Sequence, residues 1–217
     1  ITAMSRTFPA VGREVVLSVS VGVAVGPAGT IEPQALIRGA DLAMYQAKQQ
    51  GRDTFAVFRP EMESRSLERL ELQTAMRHAL EAGEFRVHYQ PIVAIEDCRL
   101  QEVEALVRWS SPQGLLGPAE FIGVAEETGL ILPLGRLVLE EACRTVRALH
   151  DSHPDAAPIG LAVNLSGRQF LDGHLGRDVA EILSRTGLAA RHLCLEITES
   201  VLMSDLPGTL ATLTELK

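Results

Sequence analysis

The chain predicts an α/β fold with a largely parallel sheet, preceded by a smaller α+β unit. Three observations carry this expectation. From residue 85 onward, short alternating apolar stretches recur between longer amphipathic ones. After the second of these strands the order is strand, helix, strand, helix, which is the pattern of a parallel sheet covered by helices. The first two strands are separated only by "AIEDCR" (94–99). A parallel crossover takes about a dozen residues or more, so this pair is expected to run antiparallel.

The elements follow in order. "REVVLSVSVGVAVG" (13–26) is Val-rich and alternates, and reads as one buried strand. Residues 30–50 read as a helix, with Leu36, Ala40, Ala43, Met44 and Ala47 on one face and Gly51 at the C-terminal cap. "DTFAVF" (53–58) is a short strand, and Pro60 ends the first unit. Residues 61–82 form a charged amphipathic helix with Leu72, Met76, Ala79 and Leu80 on one side, stopped by Gly83. This helix serves as connector and as the start of the next unit. Strands are expected at 85–93, 100–109, 159–165 and 193–198, and helices at about 118–128, 133–149, 174–186 and 204–217.

Composition narrows the function classes. The 217 residues are 46% apolar, with 18 Gly and 11 Pro, which fits a soluble globular protein of one large domain or two small ones. A net charge of −8 argues against a nucleic acid polymer or an anionic membrane as partner, and leaves room for a small phosphorylated ligand. Cys98, Cys143 and Cys194 have no paired spacing and read as reduced thiols of a cytoplasmic protein. No apolar stretch approaches the roughly 18 residues of a membrane span. The chain opens on Ile1 rather than Met, so it is expected to start inside a longer protein.

Polar residues interrupt the apolar strands in a regular way. Side chains alternate across a strand, so Val103, Ala105, Val107 and Trp109 share one face and Glu102, Glu104, Leu106 and Arg108 the other. Asn164 lies opposite Val163 and Leu165, and Glu196 opposite Leu195 and Ile197. A single strand Glu is often simply solvated. Three such residues near the C-terminal ends of strands in one sheet point instead to a site, because barrel folds place their active sites there. Two carboxylates and an amide oxygen are hard donors, suited to Mg²⁺, Mn²⁺ or Ca²⁺.

"YQPIV", "EALVRW", "FIGVAEETGLI", "VNLS" and "EITES" occur in this order, and together they resemble the first part of the EAL-domain cyclic di-GMP phosphodiesterases. "SVSVGVA" followed by "ADLAMYQAKQQGRD" resembles the C-terminal part of a GGDEF diguanylate cyclase domain, without that family's signature hairpin. The resemblance implies an incomplete TIM-like (β/α)8 barrel with an antiparallel first strand, after an α+β GGDEF fragment. It divides the chain into 1–59 (GGDEF part), 60–66 (linker) and 67–217 (EAL part).

It also implies roles. Glu104, Asn164 and Glu196 match metal ligands (Mg²⁺ or Mn²⁺), with Glu104 and Glu196 as the catalytic carboxylates. Gln90 and Arg108 match contacts to the nucleotide and its phosphate, and Glu199 an acidic residue that steadies a nearby loop. Lys48 and Arg52 match GTP-phosphate contacts of GGDEF domains, although cations at a helix C-terminus also suit the helix dipole. The expected protein hydrolyses cyclic di-GMP to linear pGpG, forms a homodimer through the EAL domain, and carries an upstream sensory or membrane-tethering region. The 217-residue chain alone is expected to be inactive. A receptor that binds cyclic di-GMP without cutting it, or a dimerisation module without a ligand, are the competing classes.

Overall fold

The computed structural model describes residues 7–10, 13–16, 18–27, 32–197 and 206–216. It divides into two compact units, Ile1–Glu71 and Leu72–Lys217.

In the first unit, β1 (Thr7–Ala10) pairs antiparallel with β2 (Arg13–Val16). β3 (Val21–Val23) pairs parallel with β4 (Phe55–Val57) across the helix α1 (Pro33–Gln49). The single strand expected over 13–26 is therefore two short strands in two sheets. Hydrophobic alternation runs through both, but β3 packs closely on α1. A Cβ on Gly22 would lie 1.9 Å from the Ala40 carbonyl oxygen, so glycine permits the approach. Ala43, Ala47 and Ala56 form a small core with Phe58 and Met62 against it. The helix α2 (Glu61–Ala82) ends at Gly83, whose φ of 66° only glycine adopts freely.

The second unit is built on a five-stranded sheet. Its strands are β5 (Phe85–Val93), β6 (Leu100–Ser111), β7 (Gly114–Leu116), β8 (Gly160–Asn164) and β9 (Leu193–Glu196). The order is β5-β6-β8-β9, with β7 paired to the end of β6. β5 and β6 are antiparallel, while β6–β8 and β8–β9 are parallel. The helices are α3 (Pro118–Thr128), α4 (Ile131–Ser152), α5 (Gly167–Phe170), α6 (Leu175–Thr186) and α7 (Leu206–Glu215). An antiparallel first strand followed by parallel strands with helical crossovers is the TIM-like pattern the sequence predicts.

One face of this sheet carries the core. Val87, Val103, Ala105, Leu161 and Val163 are buried against apolar residues of the helices, among them Leu134, Val138, Ala142 and Ile182. Phe85, Trp109 and Phe121 close one end, with ring centroids 5.4–6.0 Å apart. The Trp109 indole donates to Glu84 Oε2 at 2.9 Å, which satisfies its only polar group. Among the described residues no helix is long and apolar enough to cross a membrane.

Candidate functional site

The opposite face of the sheet carries the polar residues, and strand register decides which of them meet. Gln90 on β5 lies directly across from Glu104 on β6. Glu104 pairs in register with Ala162 on β8, and Asn164 sits one pleat further along the same face. The Asn164 Nδ2 donates to Glu104 Oε1 at 2.6 Å. Asn164 in turn pairs with Glu196 on β9. Gln90, Glu104, Asn164 and Glu196 thus form a row across four adjacent strands. Gln90, Asn164 and Glu196 are exposed and Glu104 is half-buried. The helices pack their apolar residues on the other face.

Arg108 lies on the same face as Glu104, two pleats further along β6. Its Nη1 donates to the Val107 carbonyl at 2.8 Å, and among the described residues the guanidinium makes no ion pair. Its partner across the ladder is Arg86. Arg86 donates to the carbonyls of Gly83 and of Phe85, the latter at 2.9 Å. Two guanidinium groups directly opposite repel each other and favour an anion between them. Sequence reading missed Arg86. It becomes visible only through the hairpin register.

The segment after Asn164 is held from several sides. Ser166 and Gln169 form a reciprocal capping box, with Ser166 Oγ accepting from the Gln169 amide at 3.2 Å and Gln169 Oε1 accepting from the Ser166 amide at 3.1 Å. Arg168 donates to the carbonyls of Glu126 and Glu127 at the end of α3. A cavity of about 320 Å³ opens beside Asn164 between α3, α4, the middle of β6 and the end of β8, with mostly apolar walls such as Leu106, Ile122 and Val163.

Among the described residues, no three His, Cys, Asp or Glu side chains gather as a metal-binding group. A cation at the row would therefore need the Asn164 amide oxygen beside the two carboxylates. The donor set fits this, because the amide already touches Glu104 and turning it end for end presents its oxygen. These are oxygen donors for a hard divalent ion.

Glu199 lies outside the described residues. Lys48 sits exposed in the last turn of α1, and Arg52 follows in a left-handed turn with φ 61°. Both belong to the first unit.

Two family profiles match the chain: the EAL domain over residues 73–217 and the diguanylate cyclase GGDEF domain over residues 1–54. The bifunctional diguanylate cyclase/cyclic di-GMP phosphodiesterase MucR of Pseudomonas aeruginosa is 40% identical over 215 residues, 98% of this chain and 31% of that protein. The cyclic di-GMP phosphodiesterase PdeR of Escherichia coli is 41% identical over 193 residues, 88% of this chain and 29% of that protein. The chain thus spans about a third of the length of these curated relatives. Among solved structures, a PaMucR phosphodiesterase in complex with c-di-GMP superposes with a TM-score of 0.64 at 42% identity, covering 67% of this chain and 59% of that one. EAL phosphodiesterases as a class depend on metal. The sheet order, the antiparallel first strand and these matches agree, and the chain belongs to the EAL-domain family, with a GGDEF fragment preceding the EAL segment.

Proposed function

We propose that the chain is part of a metal-dependent phosphodiesterase that opens cyclic di-GMP to linear pGpG. The observation that supports it best is the row Gln90–Glu104–Asn164–Glu196, drawn together by register and the 2.6 Å contact, in a chain 40% identical to a protein named for this activity. In this reading residues 1–59 belong to the GGDEF part, 60–66 link, and 67–217 form the EAL part. Two copies pair through the EAL part, and the setting is cytoplasmic.

Glu104, Asn164 and Glu196 would hold Mg²⁺ or Mn²⁺. When bound, such an ion supplies Lewis acidity at a phosphoryl oxygen and offsets its negative charge. The chain's own residues do the rest. The Glu104 and Glu196 carboxylates concentrate negative charge, which draws the cation, and before the ion binds the Asn164 amide keeps the Glu104 carboxylate oriented by its hydrogen bond. Arg108 binds a phosphate through its free donors and holds the ester in line. Gln90, across from Glu104, donates its amide to the nucleotide. Glu199 supports a loop beside the row, and Lys48 and Arg52 are remnants of GTP-phosphate contacts.

The test is pGpG formation by a polypeptide of the relatives' EAL length carrying these residues, beside its Glu104→Gln, Asn164→Ala and Glu196→Gln variants. Each variant is expected to lose most turnover while keeping its fold. Near-normal hydrolysis by all three in Mg²⁺ or Mn²⁺ refutes the assignment. Binding of cyclic di-GMP without turnover in the unsubstituted protein would make it a receptor.

A further inference from the structure

A second cavity, of about 620 Å³, opens at the N-terminal ends of the same strands. Its wall is apolar, with Leu100 at the start of β6, Ile159 just before β8, Leu149 on α4, and Pro154 and Pro158 in the connecting loop. Its polar lining is mostly basic: Arg99, Arg147 and Arg191, with His150, His153 and His192. Asp151 is the only acidic residue of that lining among the described residues. In a chain of net charge −8 this is a local reversal of sign.

Not all of these cations are free. Arg147 is committed to Asp151 through two contacts of 2.6 and 3.0 Å. The His150 Nε2 is fixed at 3.0–3.1 Å from the backbone of Ile159. Arg99 touches Asp97 only loosely, at 3.6 Å, with both side chains well exposed. Arg191 is exposed, His192 is partly buried, and neither side chain has an ion pair or hydrogen bond among the described residues. The His192 ring meets His150 edge-on at 5.1 Å. Burial holds the His192 imidazole below its usual range, and Arg191 and His150 push it further the same way.

Cations in the last turns of α4 suit the helix dipole, which accounts for Arg147, His150 and His153. It does not account for Arg99, which comes from the β5–β6 turn, or for Arg191 and His192, which come from the short 3₁₀ turn Ala190–His192. Elements distant in sequence bring the loosely paired Arg99, the Arg191 guanidinium and the His192 imidazole to the mouth of one apolar cavity. The volume lies within the range of small-molecule sites, about 300–1,000 Å³.

We propose that this cavity binds a small phosphate monoester with an apolar body, its phosphate held by Arg191, His192 and Arg99 and its body against Leu100, Leu149 and Ile159. The site is separate from the carboxylate row. From His192 to Glu196 is four residues of extended chain, about 13 Å, and from Ile159 to Asn164 five, about 17 Å. The inference therefore stands whether or not the chain takes part in phosphodiester hydrolysis.

The test titrates phenyl phosphate into the 217-residue chain in metal-free buffer, followed by calorimetry and by the histidine ring signals in NMR. Saturable binding is expected with a Kd of about 0.1–1 mM, shifting the ring signals of His192 and His150. Inorganic phosphate should bind about tenfold more weakly, because it lacks the apolar body. Arg191→Ala and His192→Gln should each weaken phenyl phosphate at least about fivefold, and Arg191→Glu should abolish binding. Leu149→Ser should weaken phenyl phosphate and leave inorganic phosphate unchanged. Arg191 is exposed, so its variants are expected to unfold at the same urea concentration as the unsubstituted chain. Absence of saturable binding, or unchanged affinity in both Arg191 variants, overturns the proposal. Equal affinity for inorganic and phenyl phosphate overturns its apolar half.

Discussion

Replacing Asn164 by Asp tests the row directly and needs no turnover. The Asn164 Nδ2 donates to Glu104 Oε1 at 2.6 Å. Asp at this position replaces that donor with a second acceptor and sets two like charges against each other. At 2.6 Å in a fully aqueous dielectric the repulsion is about 1.6 kcal/mol, and it falls to about 1 kcal/mol if the groups part to about 4 Å. Glu104 is half-buried and Asn164 exposed, so the aqueous end of the range applies. The lost hydrogen bond adds about 0.5–1 kcal/mol, which Asn164→Ala measures alone. The expected cost of Asn164→Asp in a chelating buffer is therefore about 2 kcal/mol, roughly twice that of the alanine variant or more. It should reverse with Mn²⁺, because an ion that binds only the folded state stabilises it, and the new carboxylate adds a third anionic ligand. Urea unfolding of the three chains, with chelator and with Mn²⁺, reads all of this from the midpoints. If Asn164→Asp matches Asn164→Ala in chelator, the two side chains do not touch in solution. If Mn²⁺ fails to restore Asn164→Asp, the metal assignment falls.

The remaining expectations are more compact. Arg86→Ala and Arg108→Ala should each weaken cyclic di-GMP binding by about tenfold in calorimetry, with lysine a poor substitute because it lacks the planar fork; unchanged affinity would return both to a purely structural role. Burial pushes the Cys143 thiol up to about 11. An unfolded cysteine loses its proton near pH 8.5, so the folded state binds the extra proton and stability falls as the pH rises from about 9 to about 11, by about 2–3 kcal/mol in all. Urea midpoints at both ends of that window should show the loss, and Cys143→Ala should flatten it. Gly135→Ala would bring a Cβ to 1.9 Å from the side-chain Nε2 of Gln169, whose Oε1 is held in the part-buried capping box. Overpacking of this kind costs about 1–3 kcal/mol, visible as a lower melting temperature.

Much of the second unit was legible in the sequence because its element ends are marked. Gly83 closes α2 where the sequence predicts, and α3 ends at Thr128 as expected, capped by Gly129 with φ 83°. The first unit was harder. Alternation through 13–26 carries no sign that the pairing partner changes, and only the close contact of Gly22 with α1 separates the two strands. β7 and α5 were missed because three or four residues hold too little periodicity, although the Ser166–Gln169 box is a readable local signal. For the site, alternation put Glu104, Asn164 and Glu196 on one face. It could not tell that Asn164 rather than Ala162 would reach Glu104, since that depends on the parallel register. The same holds for Arg86, whose place opposite Arg108 is set by how the six-residue connection closes the hairpin.

The antiparallel pairing of β5 with β6 also bears on the order in which the row assembles during synthesis. Gln90 and Glu104 are fourteen positions apart and joined by a hairpin, a contact that closes in microseconds once both strands have emerged. Asn164 reaches Glu104 from sixty positions further along, after α3 and α4 have been made and docked, and Glu196 comes later still. Contacts of such separation are slow, because the intervening chain must be ordered first. On a ribosome adding about 5–20 residues per second, the nascent chain would hold half of its polar row for several seconds before the other half exists. During that interval the bare β6 edge that later receives β8 is open to the wrong neighbour. A ligand that requires the whole row can favour only the finished arrangement, and so acts on the last step of assembly rather than the first.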